Sequence, residues 1–157
     1  MAQVAVRGYR PGDERAVVML WNRCLPADPI TGERFVRQVL LDVNFDPEGF
    51  LVAEIEGQIV GMASSGPLEG HLILWKLYVL PQFQGHGAGS ALMDAVLERA
   101  AQAHDEIRLA YLDGNVQAAG FYRSKGFVEL QREVAGHGIP DSVWMSRALT
   151  PSPEEQP

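Results

Sequence analysis

A chain of 157 residues, 46% hydrophobic and 21% charged, is long enough to bury one core of ordinary size without cross-links and has the composition of a globular domain. Its formal net charge of −7 argues against nucleic acid as a partner, which would call for a basic stripe, and leans the surface gently towards cationic acceptors. The single cysteine, Cys24, rules out a disulfide framework and suits a reducing, cytoplasmic setting; no apolar run can span a bilayer, and neither a secretory nor a myristoylation signal is expected at the start.

Val4-Ala5-Val6 up to Tyr9 predicts a first strand, stopped by Arg10-Pro11-Gly12. Asp13 is placed to cap a helix whose apolar stripe, Ala16, Val17, Leu20, Trp21 and Cys24, follows the 3.6-residue period and ends near Pro26. On that stripe Cys24 reads as a small core residue. Thr31 is placed to cap a second helix with Phe35, Val36, Val39 and Leu40 to one side, followed by a turn-rich stretch from Asp42 to Gly49. Between the two helices, Leu25 to Ile30 is a loop of the kind that borders a cleft.

Phe50–Ile55 and Gln58–Ser64 predict a hairpin about Glu56-Gly57, and Ser65 to Gly70 a second turn before a long strand from His71 to Val79. After a glycine-rich turn, an alanine-rich helix presents Ala88, Ala91, Leu92, Ala95, Val96, Arg99 and Ala100 and runs to about His104. Ile107–Leu112 is the next strand, Asp113-Gly114 a tight turn, and Asn115 the cap of a short helix stopped by Gly126. Phe127–Val134 and Asp141–Ala148 close the chain as a hairpin, and residues 150–157 form a flexible, proline-rich tail. There is no internal repeat and no linker, so residues 1–149 read as one domain. Hairpins around a strand–helix–strand crossover predict a three-layer α/β/α fold on a mixed sheet.

The stretch from Leu77 to Leu92 carries the chemistry. An apolar strand runs into Pro81 and then into Gln84-Gly85-His86-Gly87-Ala88-Gly89-Ser90 at a helix start. Free N–H groups and the helix dipole favour an anion there, and glycines let a phosphate approach the main chain closely. The Ser90 hydroxyl adds a donor. The P-loop pattern fails because no Lys-Ser or Lys-Thr follows, and the dinucleotide pattern fails because Ser90 stands where its third glycine belongs.

What the stretch does resemble is the acyl-CoA signature of the GCN5-related N-acetyltransferases (GNAT), [QR]-x-x-G-x-[GA], met by Gln84, Gly87 and Gly89. A second block, Asn115-x-x-Ala118-x-x-Phe121-Tyr122-x-x-x-Gly126-Phe127, resembles that family's N-x-x-A-x-x-F-Y-x-x-x-G-F. The matching core covers roughly residues 50 to 148. The resemblance implies an acyl-CoA N-acyltransferase fold and direct acetyl transfer from acetyl-CoA to an amine of a small molecule, peptide or protein. It implies no metal and no membrane or nucleic-acid partner, and dimers are common in the family. The main chain of Leu77, Tyr78 and Val79 would bind the pantetheine arm as an added strand does. The N–H groups of Gln84, Gly85, His86, Gly87, Ala88, Gly89 and Ser90 would hold the pyrophosphate, with Asn115 at the cofactor's border. The Val79 N–H would steady the oxyanion, and Tyr122 would protonate the departing thiolate.

Two positions depart from the pattern. Some relatives place a glutamate five residues before the Asn115 position, where this chain has Ala110; others place one at the start of the strand before the glycines, where it has His71. A neutral imidazole is apt as a base, so His71 is the side-chain candidate, with ordered water as its alternative. His86 offers its N–H among the glycines, His104 ends a helix, and His137 lies in a Gly-His-Gly loop on the acceptor side. A non-catalytic acyl-CoA sensor of the same fold is the rival reading, kept alive by Ala110. A nucleotide-binding domain would need the second block dismissed. The residues do not choose the acceptor or the acyl group.

Overall fold

The computed structural model of the chain describes residues 3–41 and 46–149. The expected tail at 150–157 and residues 42–45 of the expected turn-rich stretch lie outside them, while Pro47–Gly49 form a short 3-10 helix. Strand β1 is Val4–Gly8, helix α1 Glu14–Cys24, and helix α2 Gly32–Phe35, which continues as a π-helical turn over Val36–Leu40. The hairpin strands β2 (Phe50–Ile55) and β3 (Gln58–Leu68) precede β4 (His71–Val79), helix α3 (Ala88–Ala100), β5 (Glu106–Leu112), helix α4 (Val116–Ser124), β6 (Val128–Glu133) and β7 (Ser142–Ala148). One seven-stranded sheet has the order β1-β2-β3-β4-β5-β7-β6. Neighbours are antiparallel except β4 and β5, which the α3 crossover makes parallel.

Alternation along β4 decides which helix lies on which face. Lys76 and Tyr78 meet Trp21 of α1 on one side: the Lys76 Nζ stands 4.4 Å from the indole centroid, and the Tyr78 ring 6.4 Å away. Val79 points to the other side, where a Cβ built on Gly89 of α3 would lie 3.7 Å from its Cγ2. The result is the three-layer mixed sheet that the sequence predicts. Gly61 of β3 brings α3 close, since a Cβ there would fall 2.9 Å from a Leu92 methyl. Phe35, Phe50, Leu92, Met93, Ile107, Phe127 and Met145 are fully buried between the layers.

Several details differ from the sequence expectations. The Asp13 carboxylate does not cap α1; it accepts from Arg7 Nη1 and Nη2 at 2.7 and 2.9 Å and from the Arg10 N–H. A partly buried bidentate arginine outcompetes a helix N–H, and it holds that carboxyl below its usual range. Thr31 does cap α2, accepting from the Arg34 N–H at 3.1 Å. β3 does not stop at Ser64 but runs to Leu68, leaving only Glu69-Gly70 as the turn, both at positive φ. Beyond the Phe50–Ser64 pair it has no β2 partner, so Pro67 withholds no N–H that the ladder needs. α3 ends at Ala100, and its buried face turns towards Met93, leaving Arg99 exposed to bond the Glu48 carbonyl at 3.1 Å.

Candidate active site

β4 and β5 pair only at Leu72–Ile107 and Ile73–Arg108. Past those residues the two strands part, and the β5 side of β4 carries no ladder. The Leu80 N–H donates to the Val60 carbonyl of β3 at 2.8 Å, so by alternation the N–H and C=O of Val79 and Leu77 face the gap. The main chain of Tyr78 faces β3. The Val79 carbonyl accepts from the Gln84 side-chain amide at 3.2 Å and from the Cys24 thiol at 3.4 Å. These contacts tie the end of β4 to both the glycine turn and α1.

The glycine turn follows at once. Gly85 and Gly87 take φ of +84° and +90°, and a Cβ on either would meet nothing within 4 Å. The first main-chain bond back into the turn is Ala91 N–H to the Gly87 carbonyl at 2.9 Å, leaving the N–H groups of Gly85, His86, Gly87, Ala88, Gly89 and Ser90 without a main-chain acceptor among the described residues. Six donors at a helix start, over open space, suit a pyrophosphate in charge and shape. The His86 side chain leans on Phe83, ring centroids 6.1 Å apart, so only its N–H joins the row.

Lys125 is a residue that motif reading passes over. Its Nζ crosses from the end of α4 to donate to Ser90 Oγ at 2.6 Å and to Asp94 Oδ1 at 2.8 Å, placing a cation beside the turn. Because the Ser90 oxygen accepts from Lys125, its own O–H stays free to donate onwards. The sequence signal is faint: the residue before a helix-stopping glycine carries positive charge. α4 itself is built as expected. Asn115 accepts from the Ala118 N–H at 3.1 Å, and Gly126 at φ +92° closes a Schellman motif, with Phe127 N–H to Tyr122 O and Gly126 N–H to Arg123 O.

Those two caps set the rotation of Tyr122. Its ring packs among Tyr111, Phe121 and Phe127 at centroid distances of 6.2, 5.6 and 6.1 Å. Its hydroxyl meets no hydrogen-bond partner among the described residues and is not sealed from solvent. Burial, and then the neighbouring Tyr78, push its pKa above that of an ordinary phenol. Tyr78 is pushed up as well, by burial and by Cys24 and Asp28. Thus Tyr78 and Tyr122 converge on the gap from the two faces.

On the α1 face, the Leu25–Ile30 loop is held down at both ends. Trp21 Nε1 donates to the Asp28 carbonyl at 3.1 Å, and the Asn22 side chain exchanges two hydrogen bonds with Ile30. Behind it lies a cavity of about 270 Å³ lined by Trp21, Asp28, Ile30, Arg34, Gln38 and Lys76, among others.

His71 corrects the expectation of a side-chain base. It begins β4, and eight residues of extended chain, about 26 Å, separate it from Val79. There its Nδ1 stands 3.6 Å from Glu106 on the sheet's far end. Ala110 supplies no carboxylate either. His104 and His137 are exposed and do not join the gap residues in any bond described. No group of three or more His, Cys, Asp or Glu among the described residues is arranged to hold a metal ion, and none of their helices is long and apolar enough to cross a membrane.

The family model described as an acetyltransferase (GNAT) domain matches residues 46–129. An acetyltransferase of Pectobacterium atrosepticum is 33% identical over 119 residues, covering 74% of this chain and 82% of that protein. Among solved structures, the ribosomal-protein-alanine N-acetyltransferase of Brucella melitensis is 25% identical with a TM-score of 0.76, covering 92% and 99% of the two chains. The protein yncA of Salmonella typhimurium, solved with its cofactor acetyl-CoA, is 18% identical with a TM-score of 0.75 and covers 96% of each, a likeness of fold.

Proposed function

The chain belongs to the GNAT acetyltransferase family, and from that premise we propose that residues 1–149 form one N-acetyltransferase domain acting on a primary amine with acetyl-CoA as co-substrate. Its single free cysteine points to the cytoplasm as its compartment. The observation that carries the reading is the row of unpaired N–H groups from Gly85 to Ser90, opening at the end of a strand whose outer edge is free. That edge suits the amide groups of a pantetheine arm, and the row of donors suits a pyrophosphate.

When bound, the thioester supplies the activated acetyl group. The chain's own residues then have distinct tasks. The Val79 N–H, aimed into the gap, stabilises the negative charge that grows on the carbonyl oxygen as the amine attacks. Tyr122, protonated well past neutral pH, donates its proton to the leaving sulfur. Lys125 adds a positive charge at the phosphate end. With His71 remote and Ala110 without a carboxylate, the amine's proton passes to water; Asp28, whose charge acts on Tyr78, is a carboxylate on the acceptor side. An acyl-CoA sensor of the same fold would share the turn and the strand edge, but it has no use for a phenol whose hydroxyl stands free and open to solvent at the gap.

The test is calorimetric titration with acetyl-CoA, CoA, ATP and NAD, followed by a screen of primary amines read by released thiol. Selective binding of the two CoA species together with amine-dependent thiol release is the expected result. Binding without turnover on any amine class would favour the sensor. Binding of neither CoA species would remove the proposal.

A further inference from the structure

The cavity behind the Leu25–Ile30 loop holds an ammonium that makes no direct ion pair or hydrogen bond among the described residues. Lys76 projects from β4 into the space lined by Trp21, Asp28, Arg34 and Gln38. Its ammonium stands over the face of Trp21 at 4.4 Å. Neither a hydrogen-bond acceptor nor an ion-pair partner for it is present among the described residues. An indole face offsets part of the desolvation of an ammonium but accepts no hydrogen bond from it, so its three N–H donors, open to solvent, stay available to a ligand. Burial accordingly lowers the pKa of Lys76, and Asp28 opposes this only as the smaller influence.

Arg34 faces the same space with spare capacity. Among the described residues its side-chain bonds run to the neutral oxygens of Pro29 and Gln38, both at 3.3 Å, and to no carboxylate. Two cations therefore border a cavity that holds one carboxylate, Asp28, in a chain whose net charge is −7. Long-range charge favours a cationic ligand. At contact distance, however, two cations dominate, because exposed charges beyond about 10 Å are screened in ordinary salt.

The place of this cavity gives the charge its meaning. Lys76 and Tyr78 are alternate residues on one face of β4, about 7 Å apart along the strand. Tyr78 and Tyr122 border the gap where acetyl transfer is proposed. A ligand with its amine at the gap would reach Lys76 with a group several bonds further along. At about 270 Å³ the cavity is smaller than sites that enclose drug-sized ligands, which start near ~300 Å³.

We propose that the acceptor is a small amino-carboxylate, its amine at the β4–β5 gap and its carboxylate, several bonds away, received by Lys76 with Arg34. This rests on the acetyltransferase reading above and narrows its acceptor to an anionic class, against the lean of the net charge.

The test compares β-alanine, 4-aminobutyrate and 6-aminohexanoate with their carboxamides, measuring kcat/KM for each pair and, by calorimetry on the CoA-loaded protein, their binding. At the best chain length the acid should exceed its amide by tenfold or more. Lys76→Met should raise KM for the acid by about tenfold, the loss of one charged hydrogen bond, with kcat changing less. Lys76→Arg, which keeps the charge, should retain most of the preference, and circular dichroism confirms that each variant folds. If acids and amides are used equally at every length, or if Lys76→Met leaves the preference intact, the inference is overturned while acetyl transfer stands. If acetyl-CoA itself does not bind, both readings fall together.

Discussion

At the scale of one residue the proposed chemistry rests on Tyr122. Its hydroxyl has no hydrogen-bond partner among the described residues, keeps an opening to solvent, and lies beside a second raised tyrosine, Tyr78. Removing the hydroxyl therefore leaves no unpaired partner behind, and its packing among Tyr111, Phe121 and Phe127 survives in phenylalanine. Tyr122→Phe should lower kcat by about 100-fold, in the range of general-acid catalysis, while the Kd for acetyl-CoA moves less than about threefold. Equal losses in both would make Tyr122 a packing residue. The sign of the pH effect follows from its state: the acid works protonated, and its pKa lies above 10.0, so rising pH should cost activity only beyond the ordinary phenol range. Tyr122 was legible in the sequence because its whole block is local, from the Asn115 cap to the Gly126 stop. His71 was not, because a linear position at the head of a strand does not reveal which end of the sheet the site occupies. Lys76 and Lys125 were equally hidden, since their meaning lies in groups far along the chain: Trp21 for one, Ser90 and Asp94 for the other.

At the scale of elements, β4, the glycine turn and α3 act as one unit. Gly61 lets α3 lie against the sheet, and Gln84 ties the turn back to the Val79 carbonyl. Gly87 is the unit's most sensitive point, because two separate effects meet there. Its φ of +90° costs an L-residue roughly 1–2 kcal/mol, and its missing Cβ leaves open the space over the unpaired N–H groups. Gly87→Ala should thus lower Tm by about 2–8 °C, on the scale for chains of this size. The same change should weaken acetyl-CoA binding by more than tenfold even well below that Tm, where the protein is folded. Loss of stability with unchanged affinity would mean that the phosphates lie elsewhere. The sequence made this unit readable through its glycines, and it misjudged the length of β3 for a related reason: Gly66 and Pro67 look like a turn unless it is known that one side of the strand has no partner there.

Across the whole molecule, the parting of β4 from β5 is what joins the two helical layers into one site. On the proposed reading α3 and α4 serve the phosphate side and α1 with its following loop the acceptor side, and the gap is where the two faces communicate. The layered fold was legible because each element declares its period, 2.0 or 3.6, in its own residues. The gap was not, because a ladder that stops after two pairs leaves no mark in composition. Net charge is blind to such local detail for the same reason, as it averages over a surface, whereas the cations of Lys76 and Arg34 line one cavity. A ligand that fills the gap would contact both layers and both strands, so its binding should register in the stability of the whole fold and not only of a loop. At a concentration 100 times its Kd, acetyl-CoA should add about 2.7 kcal/mol to the native state, raising Tm by about 5–11 °C in a chain of 157 residues. The shift should grow with the logarithm of ligand concentration, and ATP or NAD at the same concentrations should produce little of it. A comparable shift with ATP would assign the row of N–H groups to phosphate in general and leave the strand edge without a role, since ATP has no pantetheine arm whose amides could be set along Leu77 and Val79.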